Sequence, residues 1–130
     1  MIHLTVVTPE RKVADRQVDE VILPGSEGYF GVLPGHAPLL ASLKVGEISY
    51  RAEGKWHFIS VAWGFVEVLA DRVSVLADIA ERAEEIDLDR AQKARSRAEE
   101  RLKKPEDVDW DRARASLEKA FIRVQVSRKA

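Results

Sequence analysis

Five cations recur at helical spacing in the last third of this 130-residue sequence: Arg90, Arg97 and Arg101 on one stretch, Lys119 and Arg123 on the next. If the two stretches fold against one another, these side chains meet. Several cations gathered beside a helix start can hold an anion such as a nucleotide phosphate. The competing account is an ordinary solvated face, in which Arg97–Arg101 repulsion is offset by Glu99 and Glu100.

Other candidates for chemistry are weaker. His36 lies in Leu33-Pro34-Gly35-His36-Ala37-Pro38-Leu39-Leu40, and a catalytic histidine needs an orienting acid and a nucleophile or substrate to serve. No G-x-S-x-G or H-E-x-x-H context is present, and His3 and His57 are too scattered for metal spacing. The simpler account is a rigid turn with His36 bonded to nearby backbone. Gly25-Ser26-Glu27-Gly28 lacks the G-x-x-x-x-G-K-[ST] pattern and leads into a strand, so it reads as a turn and not as a phosphate loop. Three Trp, two Tyr and four Phe are too dispersed to stack single-stranded nucleic acid.

The elements that position these residues change near residue 80. Up to Asp78 the apolar residues alternate or cluster between turn residues. Runs at Ile2–Val7, Val18–Leu23, Tyr29–Leu33, Leu39–Leu43, Val45–Tyr50, Trp56–Val61, Phe65–Leu69 and Val73–Ala77 predict short strands of an antiparallel sandwich or barrel. The Ala70-Asp71 link predicts a tight hairpin. From Asp87 the spacing becomes three to four, with Asp87 as the cap of a first helix along Leu88, Ala91, Ala94 or Arg95, Ala98 and Leu102. Lys103-Lys104 fall at its end, Pro105 stops it, Glu106–Val108 turn, and Asp109 caps a second helix along Trp110, Ala113, Leu117, Ala120/Phe121 and Val124. The expectation is an α+β chain: an N-terminal antiparallel β-sandwich over 1–82 and a C-terminal antiparallel helical hairpin over 83–130. One seam between two helices makes the pair marginal alone, so it should dock, detach or change partner easily.

Composition narrows the function classes. With 21 basic and 22 acidic residues the net charge is -1, which gives no overall pull toward nucleic acid or anionic lipid. Charge is uneven, however. Residues 1–80 carry 7 basic and 10 acidic groups, and from Arg112 onward six basic residues face a single Glu118, a local +5 that suits an acidic partner. The absence of Cys excludes disulfides and thiolate chemistry and fits a reducing compartment. Met1-Ile2-His3-Leu4 opens directly on a strand pattern, and no run of about 18 apolar residues occurs, so the reading expects a soluble, cytoplasmic protein without membrane insertion. A small hydrolase or isomerase using His36 and a nucleic-acid module using the basic helix are the rival readings. Both are subordinate.

Three segments carry a resemblance. Gly25 to Gly28 leads into Gly31-Val32-Leu33-Pro34-Gly35-His36-Ala37-Pro38-Leu39; Gly64-Phe65-Val66-Glu67-Val68 precedes Val73 to Asp78; Ile86-Asp87-Leu88-Asp89-Arg90-Ala91 opens the first helix. With these the chain resembles, over nearly its whole length, the epsilon subunit of the F-type ATP synthase. The resemblance implies a non-catalytic subunit whose sandwich binds the gamma subunit and the membrane-embedded c-ring. It implies a hairpin that folds on the sandwich or extends into the catalytic alpha/beta head, where it inhibits ATP hydrolysis. It further implies a peripheral position on the cytoplasmic face of the inner (plasma) membrane, with no required cofactor and no nucleic-acid partner. ATP enters as a possible regulatory ligand through Ile86, Asp87, Arg90 and Ala91, with Glu81, Arg97, Lys119 and Arg123. Lys119 stands where another arginine is found, and Trp63-Gly64 stands where Gly-Gly is common. Arg112, Arg114, Lys119 and Arg123 are the residues expected to contact acidic groups of the extended-state partner.

Overall fold

Ile2, Leu4 and Val6 alternate along β1 (Ile2–Val7), and all three are fully buried. Each contributes about 1.5–3 kcal/mol by leaving water, so this strand is driven inward by its own pattern. The computed structural model describes residues 1–103 and 110–130. Around β1 stand β2 (Lys12–Val18), β3 (Glu20–Gly25), β4 (Gly28–Val32), β5 (Leu39–Leu43), β6 (Gly46–Ala52), β7 (Lys55–Val68) and β8 (Arg72–Arg82). The order is β2-β1-β8-β7-β5-β3-β4, with β6 bonded to β3 and β7. Together they make an eight-stranded β-sandwich over one aliphatic core that includes Val21, Leu23, Ile48, Ile59, Val66 and Val73.

Two features depart from the expected strand pattern. Lys12–Val18 is a full strand, because Val13 and Val18 face inward while Asp15 and Gln17 stay outside at the sheet edge. Charge on an edge strand blocks pairing with other chains and hides the alternation. The second feature is continuity. Trp56–Val61 and Phe65–Val68 belong to one 14-residue strand, β7, whose first half pairs with β6 and second half with β5, and Leu69 falls just past its end. Trp63 and Gly64 sit at the changeover with φ of 57° and 149°. A Cβ on Gly64 would lie 2.1 Å from the Leu76 carbonyl oxygen, so only glycine fits there. Pairing is antiparallel except between β1 and β8, which run parallel.

The Ala70-Asp71 hairpin closes with the Leu69 amide donating to the Arg72 carbonyl at 2.8 Å. After β8, a single 3-10 turn over Ala83–Glu85 leads to α1 (Leu88–Leu102), and α2 (Trp110–Ser127) returns beside it. Asp87 caps α1 by accepting from the Arg90 amide at 3.1 Å, as its position predicts. Ala91 and Ala98 on α1 face Ala113, Ala120 and Val124 on α2, and all five are buried. Phe121, expected in that seam, is instead 47% exposed, and the Arg95 guanidinium lies 5.3 Å from its ring centre. Lys104, Pro105, the Glu106–Val108 turn and the Asp109 cap lie outside the described residues.

A second small core fastens the hairpin to the sandwich. Ala83, Ile86, Ala91, Val124 and Val126 pack together, with Phe58 of β7 against them. The 3-10 turn is also fixed by charge. The Arg11 guanidinium, from the β1–β2 turn, donates to Glu85 with Nη1 at 3.0 Å, and Arg82 Nε donates to the same carboxylate at 2.8 Å. Arg11, first, and then Arg82 hold the Glu85 carboxyl at about 2, against the usual 4.5.

Candidate functional site

Ser60 on β7 is paired with Glu81 on β8, and Ala62 with Ile79, so these four side chains share one face of the sheet. The hairpin seam lies across that face. Between them is a half-open cavity of about 490 Å³. Its helical side carries Arg97 and Arg101 from α1 and Ser116, Lys119 and Arg123 from α2. Ala94, Ala98, Ala120, Ala62 and Ile79 complete it with apolar surface. Glu81 is the one carboxylate that lines it among the described residues.

Arg123 bridges the cavity to the sandwich. Its Nε donates to Glu81 Oε1 at 2.7 Å and its Nη2 to Oε2 at 3.3 Å, a forked grip on a half-buried carboxylate. One turn earlier, Lys119 Nζ lies 5.4 Å from the centre of the Trp63 ring. Trp63 therefore does what Gly at that position cannot: it offers an aromatic face to a helix cation.

The cationic convergence expected of Arg97, Arg101, Lys119 and Arg123 is present, and Glu81 joins it. Arg90 does not line the cavity; it is exposed near the start of α1. Ile86 and Ala91 are 8% and 0% exposed and pack in the hairpin core, and Asp87 is used as the cap. Arg112 and Arg114 are exposed on the first turns of α2 and stand outside the cavity. Sequence reasoning missed Ser60 and Ser116, because a serine carries no periodic signal and only the strand register and helix pairing bring these two together.

His36 makes the local bond its turn suggests, with Nδ1 2.6 Å from the Ala37 carbonyl oxygen. Among the described residues no three His, Cys, Asp or Glu side chains gather as a metal requires. No described helix is long and apolar enough to cross a membrane.

Two family models match the chain: the beta-sandwich domain of the ATP synthase delta/epsilon chain over residues 1–83, and the long alpha-helix domain of the same chain over 84–128. An ATP synthase epsilon chain of Nitratidesulfovibrio vulgaris is 52% identical over 126 residues, covering 96% of this chain and 94% of that one. One from Geotalea daltonii is 50% identical over 131 aligned residues, covering 99% and 95%. Among solved structures, a chain in the mitochondrial ATP synthase of Euglena gracilis (OSCP/F1/c-ring) superposes with a TM-score of 0.78 at 26% identity, covering 90% of this chain and 75% of that one. A chain of the Tetrahymena thermophila central stalk and c-ring has the same fold, with a TM-score of 0.61 at 15% identity over 98% and 94%. The chain belongs to the ATP synthase delta/epsilon chain family. Membership makes it a non-catalytic subunit of an ATP synthase.

Proposed function

We propose that the chain works in the central stalk as an epsilon-type rotor subunit, with the sandwich as its fixed part and the hairpin as a switch. The sandwich would hold the gamma subunit and the c-ring, keeping the chain peripheral at the cytoplasmic face of the membrane. The exposed cross-strand pair Phe65–Leu76, 60% and 64% accessible, supports a protein partner on that face. The hairpin would leave the sandwich, extend toward the alpha/beta head and inhibit ATP hydrolysis. ATP, held in the cationic cavity, would favour the docked state.

One observation carries the switch. Lys119 and Arg123, two of the four cations proposed to meet acidic groups in the head, are occupied in the docked hairpin by Trp63 and Glu81. Docking on the sandwich and binding the head therefore compete for the same side chains, and a few kcal/mol suffices to tip such an equilibrium. Removing residues 88–130 in the assembled enzyme should preserve assembly and coupling and raise ATP hydrolysis. Unchanged hydrolysis would end the inhibitory reading.

A further inference from the structure

We propose that the Tyr29 hydroxyl positions Glu47 for the hairpin, so that the part of the sandwich carrying Tyr29 and the docking of α2 are coupled. Tyr29 is then a positioning residue of the switch; the proposal rests on the hairpin reading above and assigns nothing to the cationic cavity.

Glu47 is where the two meet. β3 runs beside β6 from Ser49 to Arg51, and Glu47 lies past that ladder. Its amide donates to the Tyr29 hydroxyl at 3.0 Å, in the place of a strand carbonyl. Its buried carboxylate accepts from the Lys129 ammonium, just beyond the end of α2. Among the described residues Lys129 is the one cation paired with it. A buried carboxylate that loses its counter-charge is costly, so Glu47 favours the docked hairpin as long as its backbone holds it within reach of Lys129.

The fit around Tyr29 serves that placement. A Cβ on Gly46 would lie 2.6 Å from the Tyr29 hydroxyl oxygen and 2.5 Å from the Pro24 Cβ, so a glycine before Glu47 lets hydroxyl and strand come together. Lys44, between β5 and β6, has its Nζ 5.4 Å from the Tyr29 ring centre. Tyr29 is nonetheless 51% exposed. A ring open to solvent is thus fixed at its hydroxyl and over its face, and whatever moves it moves the start of β6. Linkage runs in both directions: a sandwich partner that shifts the Tyr29 ring weakens docking, and undocking loosens the Glu47 amide.

The test is amide hydrogen exchange on the full chain for wild type, Tyr29→Phe, Lys129→Ala and the double variant, with Arg123→Gln alone and combined with Tyr29→Phe as the control pair. Tyr29→Phe keeps the ring beside Lys44 and removes only the hydroxyl. It should speed exchange in the last turns of α2 roughly threefold, and Lys129→Ala roughly tenfold. The double variant should match Lys129→Ala, whereas the two effects should multiply in the control pair. The Glu47 amide should also exchange faster in Lys129→Ala. Unchanged α2 exchange in Tyr29→Phe, an unchanged Glu47 amide in Lys129→Ala, or effects that multiply in the double variant as in the control pair would overturn the coupling and leave the switch reading standing. If α2 exchanges only together with β1 in every variant, the hairpin does not leave the sandwich, and the switch reading and the coupling both fall.

Discussion

Lys129 reaches back to Glu47 on β6, its Nζ donating to both carboxylate oxygens at 2.8 and 3.0 Å. Glu47 is only 8% exposed, and its own amide donates to the Tyr29 hydroxyl at 3.0 Å. The same ammonium lies 4.9 Å from the Phe58 ring centre. The segment just past α2 is thereby fastened to the sandwich through two residues that do not line the cavity.

Lys129→Ala should loosen the docked hairpin by roughly 1–2 kcal/mol while leaving the sandwich intact, because a charge-assisted bond to a buried acceptor is lost. Hydrogen exchange at the amides of the last turns of α2 would read this as faster exchange, with β1 and β8 unchanged. Equal protection in the variant would show the contact to be idle. Added salt should mimic the substitution only weakly, since Glu47 is shielded from solvent.

Acid should loosen the Ala83–Glu85 turn that joins the sandwich to the hairpin. Glu85 is held at about 2 in the fold and returns to its ordinary 4.5 on unfolding. A carboxyl depressed by folding stabilises above its unfolded value, and that stability disappears as pH falls from about 4.5 through 2. The gap corresponds to at most roughly 3 kcal/mol, reduced by the partial exposure of Arg11 and Glu85. Glu85→Gln should flatten the dependence of the melting temperature on pH across this window. An unchanged slope would place the acid sensitivity elsewhere.

What the sequence discloses follows local physics. Alternation in Phe65–Leu69 and Arg72–Leu76, the Ala70-Asp71 turn and the Asp87 cap are each decided within a few residues, and each is where its pattern puts it. Lys12–Val18 is hidden because an edge strand needs charges that break its alternation. The Trp63-Gly64 changeover reads as a gap between strands because its meaning depends on β5 and β6 meeting β7 from one side. Of the candidate site, the helical spacing revealed the cations. The Trp63 ring that meets Lys119, and the Glu47 carboxylate that meets Lys129 beyond the site, depend on how the hairpin lies, and no local pattern records that. Phe121 shows the same limit: adjacent to Ala120 on the stripe, it is nonetheless 47% exposed and meets the Arg95 guanidinium.

Trp63 and Gly64 should respond to substitution in opposite ways. Gly64→Ala places a Cβ against the Leu76 carbonyl oxygen at 2.1 Å and adds strain at φ 149°, so the sandwich should lose about 3 kcal/mol or more. Trp63→Gly relieves a left-handed backbone and removes the ring facing Lys119, terms of about 1 kcal/mol each with opposite sign. Its melting temperature should therefore barely move while α2 exchanges faster. If Trp63→Gly leaves α2 protection untouched, the ring contact does not hold the helix.

The Glu81–Arg123 bridge can be tested as a docking contact apart from Arg97 and Arg101, which line the same cavity. Glu81→Gln or Arg123→Gln alone should weaken docking by roughly 1–3 kcal/mol, since each leaves a half-buried partner without its counter-charge. The reversed pair, Glu81→Arg with Arg123→Glu, restores an ion pair at the same place. It should recover much of the docking, read as the distance between a label on α2 and one on β6. Recovery in the double variant but not in either reversal alone would establish that the two side chains act on each other. Arg97 and Arg101 remain in all these variants, so anion binding should follow the docked fraction. Binding that disappears in the docked double variant would instead assign Arg123 a direct contact with the ligand.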